Sequence, residues 1–208
     1  KKVTSMFEDH QGTFWFCTMD DGIYSLPTNA SVVYRDERHE NSSNNITAIH
    51  RSPSGTVYFG DDEGNLNGIT PTGKQLVDHF YSVDGYNRVL GIQTTEGGNL
   101  WVATDEGLYY GQRHRFRKIK SVITTPKAIL VDREDVWCST SAHIYRVSAS
   151  RLDTVTSFAI QKRFTALGKD GEGIVWAGGI EGIYCSRDSF RSNRGEKYPQ
   201  LCTRIVSI

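Results

Sequence analysis

The sequence is poor in the features that mark membrane, nucleic-acid-binding and zinc proteins. Its 208 residues include two methionines, and its four cysteines lack a zinc-ligand spacing. No apolar run approaches the roughly 18 residues that a membrane-spanning helix requires. Lys plus Arg and Asp plus Glu number 24 each, so the formal net charge is zero. Without a net field to attract polyanions or anionic lipid, we expect neither nucleic acid nor a membrane as a partner of this segment.

Motifs for catalysis and metal binding are missing as well. The sequence contains no calcium-binding loop of the D-x-D-x-D-G type, no G-x-S-x-G and no glycine-rich phosphate loop. The six histidines fall at unrelated positions. Acidic clusters such as the stretch from Asp61 to Gly64 fit tight turns better than calcium sites. The sequence therefore predicts no catalytic residue, no metal site and no cofactor.

What is present is a tandem repeat of about 40 residues. Each copy has an aromatic anchor in an apolar stretch such as "LWVAT", and the successive anchors lie 43, 43, 36 and 39 positions apart. The anchors are Trp15, Tyr58, Trp101, Trp137 and Trp176. A second apolar stretch, such as "VTSM" from Val3, precedes each of them. This period, with several short strands per copy, is typical of β-propeller blades.

We therefore predict an all-β fold, a propeller of four-stranded antiparallel blades with strands named a to d. The predicted blades span 3–45, 46–88, 89–125, 126–163 and 164–204, and a further blade starts at 205–208. Because the sequence stops within a repeat, we expect these five copies to form part of a larger ring. Closure of a propeller requires that its last blade meet its first.

Small residues recur at two positions of the repeat and support this prediction. In strand a they are Ser5, Ala48, Gly91, Ala128, Ala166 and Ser207; in strand b they are Cys17, Gly60, Ala103, Ser139 and Gly178. Strands near a propeller axis meet neighbours on both faces and have no room for large side chains. Glycine also occupies most a–b and b–c turns. Copy four lacks both turn glycines, so its hairpins should be the least regular.

The repeat resembles the two-component regulator propeller family. The copies that carry the resemblance best are "VTSMFEDHQGTFWFCTMDDGIYSL" from Val3 and "VLGIQTTEGGNLWVATDEGLYYG" from Val89. The resemblance implies the extracytoplasmic, periplasmic sensor part of a membrane-bound, often hybrid, histidine kinase of Bacteroidetes type that reads polysaccharide breakdown products. It further implies a segment that binds a ligand or a partner and is not itself an enzyme.

The candidate ligand site lies where each d–a link enters the next blade. The residues at or beside this position that we select are Lys2, Asn45, Tyr86, Arg88, Arg163 and Arg204. Four of them are cationic and could form a collar for the carboxylates or sulfates of an acidic oligosaccharide. The competing interpretation is that these bases pair with the acidic b–c turns of neighbouring blades on the same face.

Several alternatives stay open at this point. The propeller could be a protein-interaction scaffold without a small ligand, or a propeller lyase of the antibiotic-inactivating kind, although a lyase needs a general base and usually a metal. Its partners could be the remaining blades, a second propeller of the same parent chain, or a second copy in a homodimer. Cys185 and Cys202 could be bridged in an oxidising compartment, but we do not predict a disulfide.

Overall fold

The computed structural model describes residues 2–26, 32–34, 44–70, 73–82, 85–119, 123 and 125–197. Within them the chain forms five antiparallel sheets in sequence order. Blade 1 contains β1 (Val3–Glu8), β2 (Phe14–Thr18), β3 (Ile23–Leu26) and β4 (Val32–Tyr34). Blade 2 contains β5 (Ile46–Arg51), β6 (Val57–Asp61), β7 (Asn65–Thr70) and β8 (Gly73–His79). Blade 3 contains β9 (Val89–Thr94), β10 (Leu100–Thr104), β11 (Gly107–Gln112) and β12 (Arg115–Lys118).

Blade 4 contains β13 (Ala128–Asp132), β14 (Asp135–Ser139), β15 (His143–Ser148) and β16 (Arg151–Ala159). Blade 5 has three strands among the described residues, β17 (Phe164–Lys169), β18 (Val175–Gly179) and β19 (Gly182–Cys185), followed by short 3-10 turns at Ser186–Asp188 and Arg194–Lys197. The inner strands β1, β5, β9, β13 and β17 contact one another in that order. The predicted all-β propeller is therefore confirmed.

Hydroxyl groups on the inner strands help to join neighbouring blades. The Thr4 hydroxyl donates a hydrogen bond to the carbonyl oxygen of Ile46 at 3.3 Å, and the Thr47 hydroxyl donates to that of Val89 at 2.6 Å. Thr4 and Thr47 occupy the same position of strand a in successive copies. The repeat thus encodes polar contacts between blades as well as their apolar packing.

Four of the five a–b hairpins use the same five-residue turn, closed by its first side chain. In blade 1, Asp9 Oδ1 accepts hydrogen bonds from the backbone N–H groups of Gln11 at 2.8 Å and Thr13 at 3.0 Å. Gly12 has a φ of 78°, which glycine adopts without steric cost. Asp170 makes the corresponding bonds in blade 5. An aspartate, serine or threonine with a glycine three positions later therefore specifies this turn locally.

Blade 4 departs from this pattern in a way that contradicts one prediction. Its a–b turn consists of Arg133 and Glu134 alone, with a φ of 59° at Arg133, and β13 pairs with β14 without a register shift. The inner pairs of the other four blades each contain such a shift. The prediction that copy four has the least regular hairpins is thus wrong for this pair. The shifts of the other blades lie at the start of strand a, and β13 begins only at Ala128, beyond that position.

The columns of small residues lie where neighbouring blades come closest. A Cβ atom added at Gly60 would lie 2.4 Å from Cβ and Cγ1 of Val89 in the next blade. At Gly91 an added Cβ would meet Ile129 Cγ1 at 3.3 Å. Cys17 and Cys138 are buried and free, and burial raises the pKa of the Cys17 thiol to about 11 and that of Cys138 to about 12. Cys185 is also free, whereas Cys202 lies outside the described residues.

The aromatic anchors fill the space between sheets, as their spacing predicts. Trp15 packs with blade 2, Trp101 with blade 4 and Trp137 with blade 5. The Nε1 atoms of Trp15 and Trp176 donate to Asp9 at 3.0 Å and Asp170 at 2.8 Å, each in the a–b turn of its own blade. Trp101 Nε1 donates to the carbonyl oxygen of Glu134 at 2.8 Å, in the a–b turn of the next blade. All three indoles thus point towards the a–b end of the propeller.

Blade 1 differs from the others in the exposure of its inner strand. Val3 is 57% exposed, whereas Val89 at the same repeat position is fully buried. Met6, also on β1, is 59% exposed. The opposite side of blade 1 packs normally, because Cys17 and Ile23 join the core shared with blade 2. Within the described ranges, one face of blade 1 therefore lacks the covering that its equivalents have.

Candidate functional site

The strand directions divide the propeller into two faces. The upper face carries the d–a links and the b–c turns, and the lower face carries the a–b and c–d turns. The b–c turns are 19–22, 62–64, 105–106, 140–142 and 180–181, and the a–b turns are 9–13, 52–56, 95–99, 133–134 and 170–174. All residues predicted for the ligand site that the structure describes lie on the upper face.

Each of the first three blades holds its predicted residue against the b–c turn of the same blade. The carbonyl oxygens of Lys2, Asn45 and Arg88 accept hydrogen bonds from the N–H groups 17 positions later, of Met19, Asp62 and Asp105, at 3.1, 3.2 and 3.1 Å. The repeat therefore positions the three residues in the same way. It places each at the entry of its own blade.

Arg88 is the most firmly held of the predicted residues. Its Nε and Nη2 atoms donate to the two carboxylate oxygens of Asp105, both at 3.0 Å, and its backbone N–H donates to Oδ2 at 2.9 Å. The hydrogen bond to Asp105 raises the pKa of Arg88 above its ordinary value. Burial raises the pKa of Asp105, but the hydrogen bonds and charge of Arg88 outweigh burial and hold that pKa below its ordinary value. This two-pronged pair orients the guanidinium.

The residues at the entries of two other blades are also paired, each with the b–c turn of its own blade. Asn45 Nδ2 donates to Asp62 Oδ2 at 2.8 Å, and Lys162 forms an ion pair with Glu181. The acidic b–c turns thus neutralise part of the predicted collar. Among the predicted cations the competing interpretation is correct for Arg88, except that its partner belongs to the same blade and not to a neighbouring one.

Two of the predicted cations keep an unneutralised charge. Lys2 and Arg163 are exposed, and within the described part of the chain neither has a carboxylate partner. Arg204 lies outside the described residues. On the part of the propeller that the structure describes, the collar is therefore reduced to two isolated charges and one oriented guanidinium.

Exposed aromatic side chains distinguish the upper face. Tyr86 is 53% exposed, and its ring centroid lies 5.4 Å from Cζ of Arg88. Tyr81, in the same d–a link, is 81% exposed and meets the His79 ring edge-on at 4.2 Å between centroids. Met19 and Ile180 in b–c turns are exposed as well. The sequence prediction selected Tyr86 but missed Tyr81. The position of Tyr81 in a polar link could have indicated that its ring is exposed.

A buried asparagine fixes the link that carries these tyrosines. Asn87 is buried and its Nδ2 donates to the carbonyl oxygen of Phe80 at 3.0 Å, while its Oδ1 accepts from the N–H of Glu106 at 3.0 Å. Phe80 in turn packs against Tyr109 of blade 3. Both ends of the link are therefore anchored, and Tyr86 and Arg88 are held together at the entry to blade 3. We call Tyr81, Tyr86 and Arg88 the entry cluster.

The acidic turns hold themselves together without a metal. Asp61 Oδ1 accepts hydrogen bonds from the N–H groups of Glu63 at 3.0 Å and Asn65 at 2.8 Å, as in an ordinary aspartate turn. Burial raises the pKa of Asp61. Among the residues that the structure describes, no group of three or more His, Cys, Asp or Glu side chains could hold a metal ion. The described part of the chain also has no helix that is long and apolar enough to span a membrane.

Comparison with known proteins supports the resemblance that the repeat shows. The family model described as "Two component regulator propeller" matches residues 1–20. The predicted resemblance to this family is thereby confirmed on the first copy, which the other four repeat. No curated protein sequence matches the chain significantly.

Solved structures share the propeller fold at low sequence identity. The extracellular domain of BT3049 from B. thetaiotaomicron, assigned to the hybrid two component systems, is 22% identical over 96% of this chain and 29% of that one, with a TM-score of 0.67. PorZ, a surface component of the type-IX secretion system of Porphyromonas gingivalis, is 14% identical over 100% of this chain and 36% of that one, with a TM-score of 0.70. The computationally designed Ika8 is 15% identical over 89% and 58%, with a TM-score of 0.69. The chain thus spans about a third of the length of these natural relatives.

Proposed function

We propose that this chain is an extracytoplasmic ligand-sensing propeller module of a two-component regulator and performs no chemistry itself. The observation that carries the proposal is the entry cluster, where the exposed ring of Tyr86 lies beside the oriented guanidinium of Arg88 and Tyr81 is exposed in the same link. Sugars offer apolar C–H faces to aromatic rings and hydroxyl groups to fixed polar groups. An oligosaccharide is therefore the ligand class that fits the cluster, and the cations Lys2 and Arg163 favour an acidic one.

The comparisons support the setting of this proposal. The repeat family and the Bacteroides structure both concern two component systems, and the latter is an extracellular domain. We extend this setting to the present chain and place it in the periplasm, as the sensor part of a histidine kinase. On this proposal a ligand on the upper face changes how the propeller contacts the rest of its parent chain.

Ligand titrations of aromatic variants test the proposal. We expect isothermal titration calorimetry to detect a neutral, uronic or sulfated oligosaccharide that binds the chain, with roughly fivefold to tenfold weaker binding by Tyr86→Ala, because a stacked ring contributes on the order of 1 kcal/mol. Arg163→Ala should weaken only the charged sugars. Arg113→Ala removes an exposed charge on the lower face and serves as the control, which should bind like the wild type.

Arg88 requires a paired variant because it also neutralises Asp105. Arg88→Gln alone leaves that carboxylate without its partner, so any loss of binding could reflect a disturbed turn. Arg88→Gln combined with Asp105→Asn removes both charges and preserves neutrality. Weaker oligosaccharide binding by the double variant at unchanged thermal stability supports a direct role of the guanidinium. Equal binding by all variants removes the entry cluster from the proposal.

The expected contact with the remaining blades of the parent chain is supported by a different observation, the open face of blade 1. Val3 and Met6 are exposed where the equivalent residues of later blades are covered, and continuity with the four interfaces present suggests that another blade covers them. We propose a further blade of the parent protein as this partner. Met6→Asp should then change the stability of the present chain by under about 0.5 kcal/mol. It should destabilise a longer piece that contains the covering blade by about 2 kcal/mol or more.

Chemical unfolding of both lengths of chain, with and without Met6→Asp, makes this comparison. Sedimentation of the present chain provides the second readout. Met6→Asp could instead abolish a concentration-dependent dimer and leave the stability of the longer piece unchanged. This result would assign the open face of blade 1 to a second copy of the chain and refute the proposed covering blade.

A further inference from the structure

A cleft on the lower face lies between blades 4 and 5, away from the entry cluster. Its volume is about 560 Å³, within the usual range for small-molecule sites. Its walls are Asp132, Arg133, Glu134, Asp135, Arg146, Lys169 and Gly173. We propose that this cleft, the lower cleft, binds a small organic carboxylate held by the guanidinium of Arg133.

The short turn of blade 4 explains why the cleft exists. The other four blades each place five residues between strands a and b, whereas blade 4 places two, Arg133 and Glu134. The three missing residues would lie at the lower end of blade 4, beside the five-residue turn of blade 5. That turn contributes Gly173 to the opposite wall of the cleft. The cleft therefore arises from a departure of one copy from the repeat.

Three cationic side chains line the cleft, and two of them form ion pairs with carboxylates of the lining. Lys169 forms an ion pair with Asp132, and Arg146 forms one with Asp135 at 3.2 Å. The Glu134 carboxylate is engaged by blade 3, since Oε1 accepts from the N–H of Gly97 at 2.6 Å and Oε2 from the Tyr110 hydroxyl at 3.3 Å. All three carboxylates thus have partners.

Arg133 is the cation that remains. Its side chain is exposed and, within the described part of the chain, its guanidinium has no ion-pair partner. Its carbonyl oxygen accepts a hydrogen bond from the N–H of Glu96 at 3.4 Å, so the turn that carries it is fixed against blade 3. A planar guanidinium held at the edge of a cleft matches the geometry of a carboxylate.

A buried donor beside the cleft also lacks an acceptor. Trp137 is 8% exposed, and its Nε1 atom is buried without a hydrogen-bond partner. The indoles of Trp15, Trp101 and Trp176 all donate to groups of the a–b turns, and the in-register repeat directs Trp137 towards the same end. There Asp132, which stands where blades 1 and 5 have Asp9 and Asp170, pairs with Lys169 and does not accept from the indole. A buried N–H without an acceptor is destabilising, so an incoming oxygen acceptor is favoured at this place.

Arg146 connects the buried indole to the cleft. Its guanidinium carbon lies 5.6 Å from the ring centroid of Trp137, and the same side chain lines the cleft and is about half exposed. A ligand carboxylate that binds Arg133 can reach the indole N–H once the Arg146 side chain swings aside. Such a movement is inexpensive for an exposed arginine whose ion pair is also at the surface.

Nuclear magnetic resonance of the indole N–H groups tests this proposal. The chain has four tryptophans and hence four indole signals, and Trp137→Phe identifies the one in question. Titration with D-glucuronate should move the Trp137 signal downfield in a saturable way, while the Trp15 signal in distant blade 1 stays in place. D-glucose and sodium sulfate at matched ionic strength should leave both signals unchanged.

Arg133→Asn supplies the decisive variant. Asparagine tolerates the positive φ of this turn position, so the hairpin is kept while the guanidinium is lost. Glucuronate should then bind at least about tenfold more weakly, because a charge-assisted hydrogen bond is removed. Arg113→Asn, at an exposed position of the lower face outside the cleft, should bind like the wild type. A shift that persists in Arg133→Asn, an equal shift with glucose or sulfate, or no saturable shift with glucuronate overturns the proposal.

Discussion

Acid should weaken the contact between blades 2 and 3 through a single histidine. His50 Nε2 accepts a hydrogen bond from the N–H of Thr94 at 3.0 Å and lies 2.7 Å from the Thr94 hydroxyl oxygen. Burial lowers the pKa of His50 from 6.5 to about 4. The folded protein therefore keeps the imidazole neutral, with Nε2 free to accept, at pH values where the unfolded chain already binds a proton.

The direction and size of the effect follow from this difference. Between about pH 6.5 and pH 4 the unfolded chain binds more protons at His50, so the free energy of unfolding falls as the pH falls. Each pKa unit corresponds to about 1.4 kcal/mol. We therefore expect a loss of about 2 kcal/mol at pH 5 and about 3 kcal/mol below pH 4. The contribution is fully present above pH 6.5.

Urea unfolding, followed by tryptophan fluorescence at several pH values from 7.5 to 4, measures this loss. His50→Gln retains a side-chain oxygen that can accept from Thr94 but cannot titrate, so its stability should change little across the window. His114→Asn replaces an exposed histidine and should keep the wild-type slope. The carboxyls of Asp9 and Asp170 have lowered pKa values and contribute only at lower pH. An identical slope in wild type and His50→Gln would refute the reasoning.

Two further pairs of variants test the packing of the repeat by the same unfolding assay. Gly60→Ala places a methyl group 2.4 Å from a buried valine and should lower the free energy of unfolding by about 1–3 kcal/mol. Gly91→Ala should leave that free energy within about 1 kcal/mol of the wild-type value, because other copies carry alanine there. Equal losses in the two variants would contradict the close approach at Gly60. Trp101→Phe should cost about 1 kcal/mol more than Trp137→Phe, since only Trp101 loses an indole hydrogen bond, to Glu134. Equal losses from both tryptophans would show that the bond contributes nothing to stability.

The sequence was sufficient to predict the architecture because the copies repeat the same kinds of residue at the same positions. The anchors, the small residues and the turn glycines each have one steric reason, and five aligned copies made those reasons visible. The entry pairs could have been found in the same way. Lys2, Asn45 and Arg88 each face a residue 17 positions later in the b–c turn, a constant separation that the aligned repeats contain. The pairing of Arg88 with Asp105 was nevertheless expected across blades, because periodicity alone does not say which turn is nearest.

Other features depend on three-dimensional neighbours and could not be foreseen. The 36-residue spacing between Trp101 and Trp137 indicated that material was missing from copy four, but not that the loss would leave an indole N–H unpaired. The acceptor for Trp101 comes from blade 4, and nothing in either copy signals this exchange. Likewise, the exposure of Tyr81 depends on how Asn87 anchors the link to blade 3.

The departures from the repeat are the positions where function is to be sought. Residues common to all copies already have an explanation in blade packing, because each copy must bury the same surfaces. Packing does not account for the exposed rings of Tyr81 and Tyr86, which occur in one d–a link, or for the shortened turn at Arg133, which occurs in one blade. Both departures expose polar or aromatic groups that a purely structural repeat would cover. A ligand on either face would therefore contact the residues in which the copies differ, and the shared scaffold would hold those residues in place.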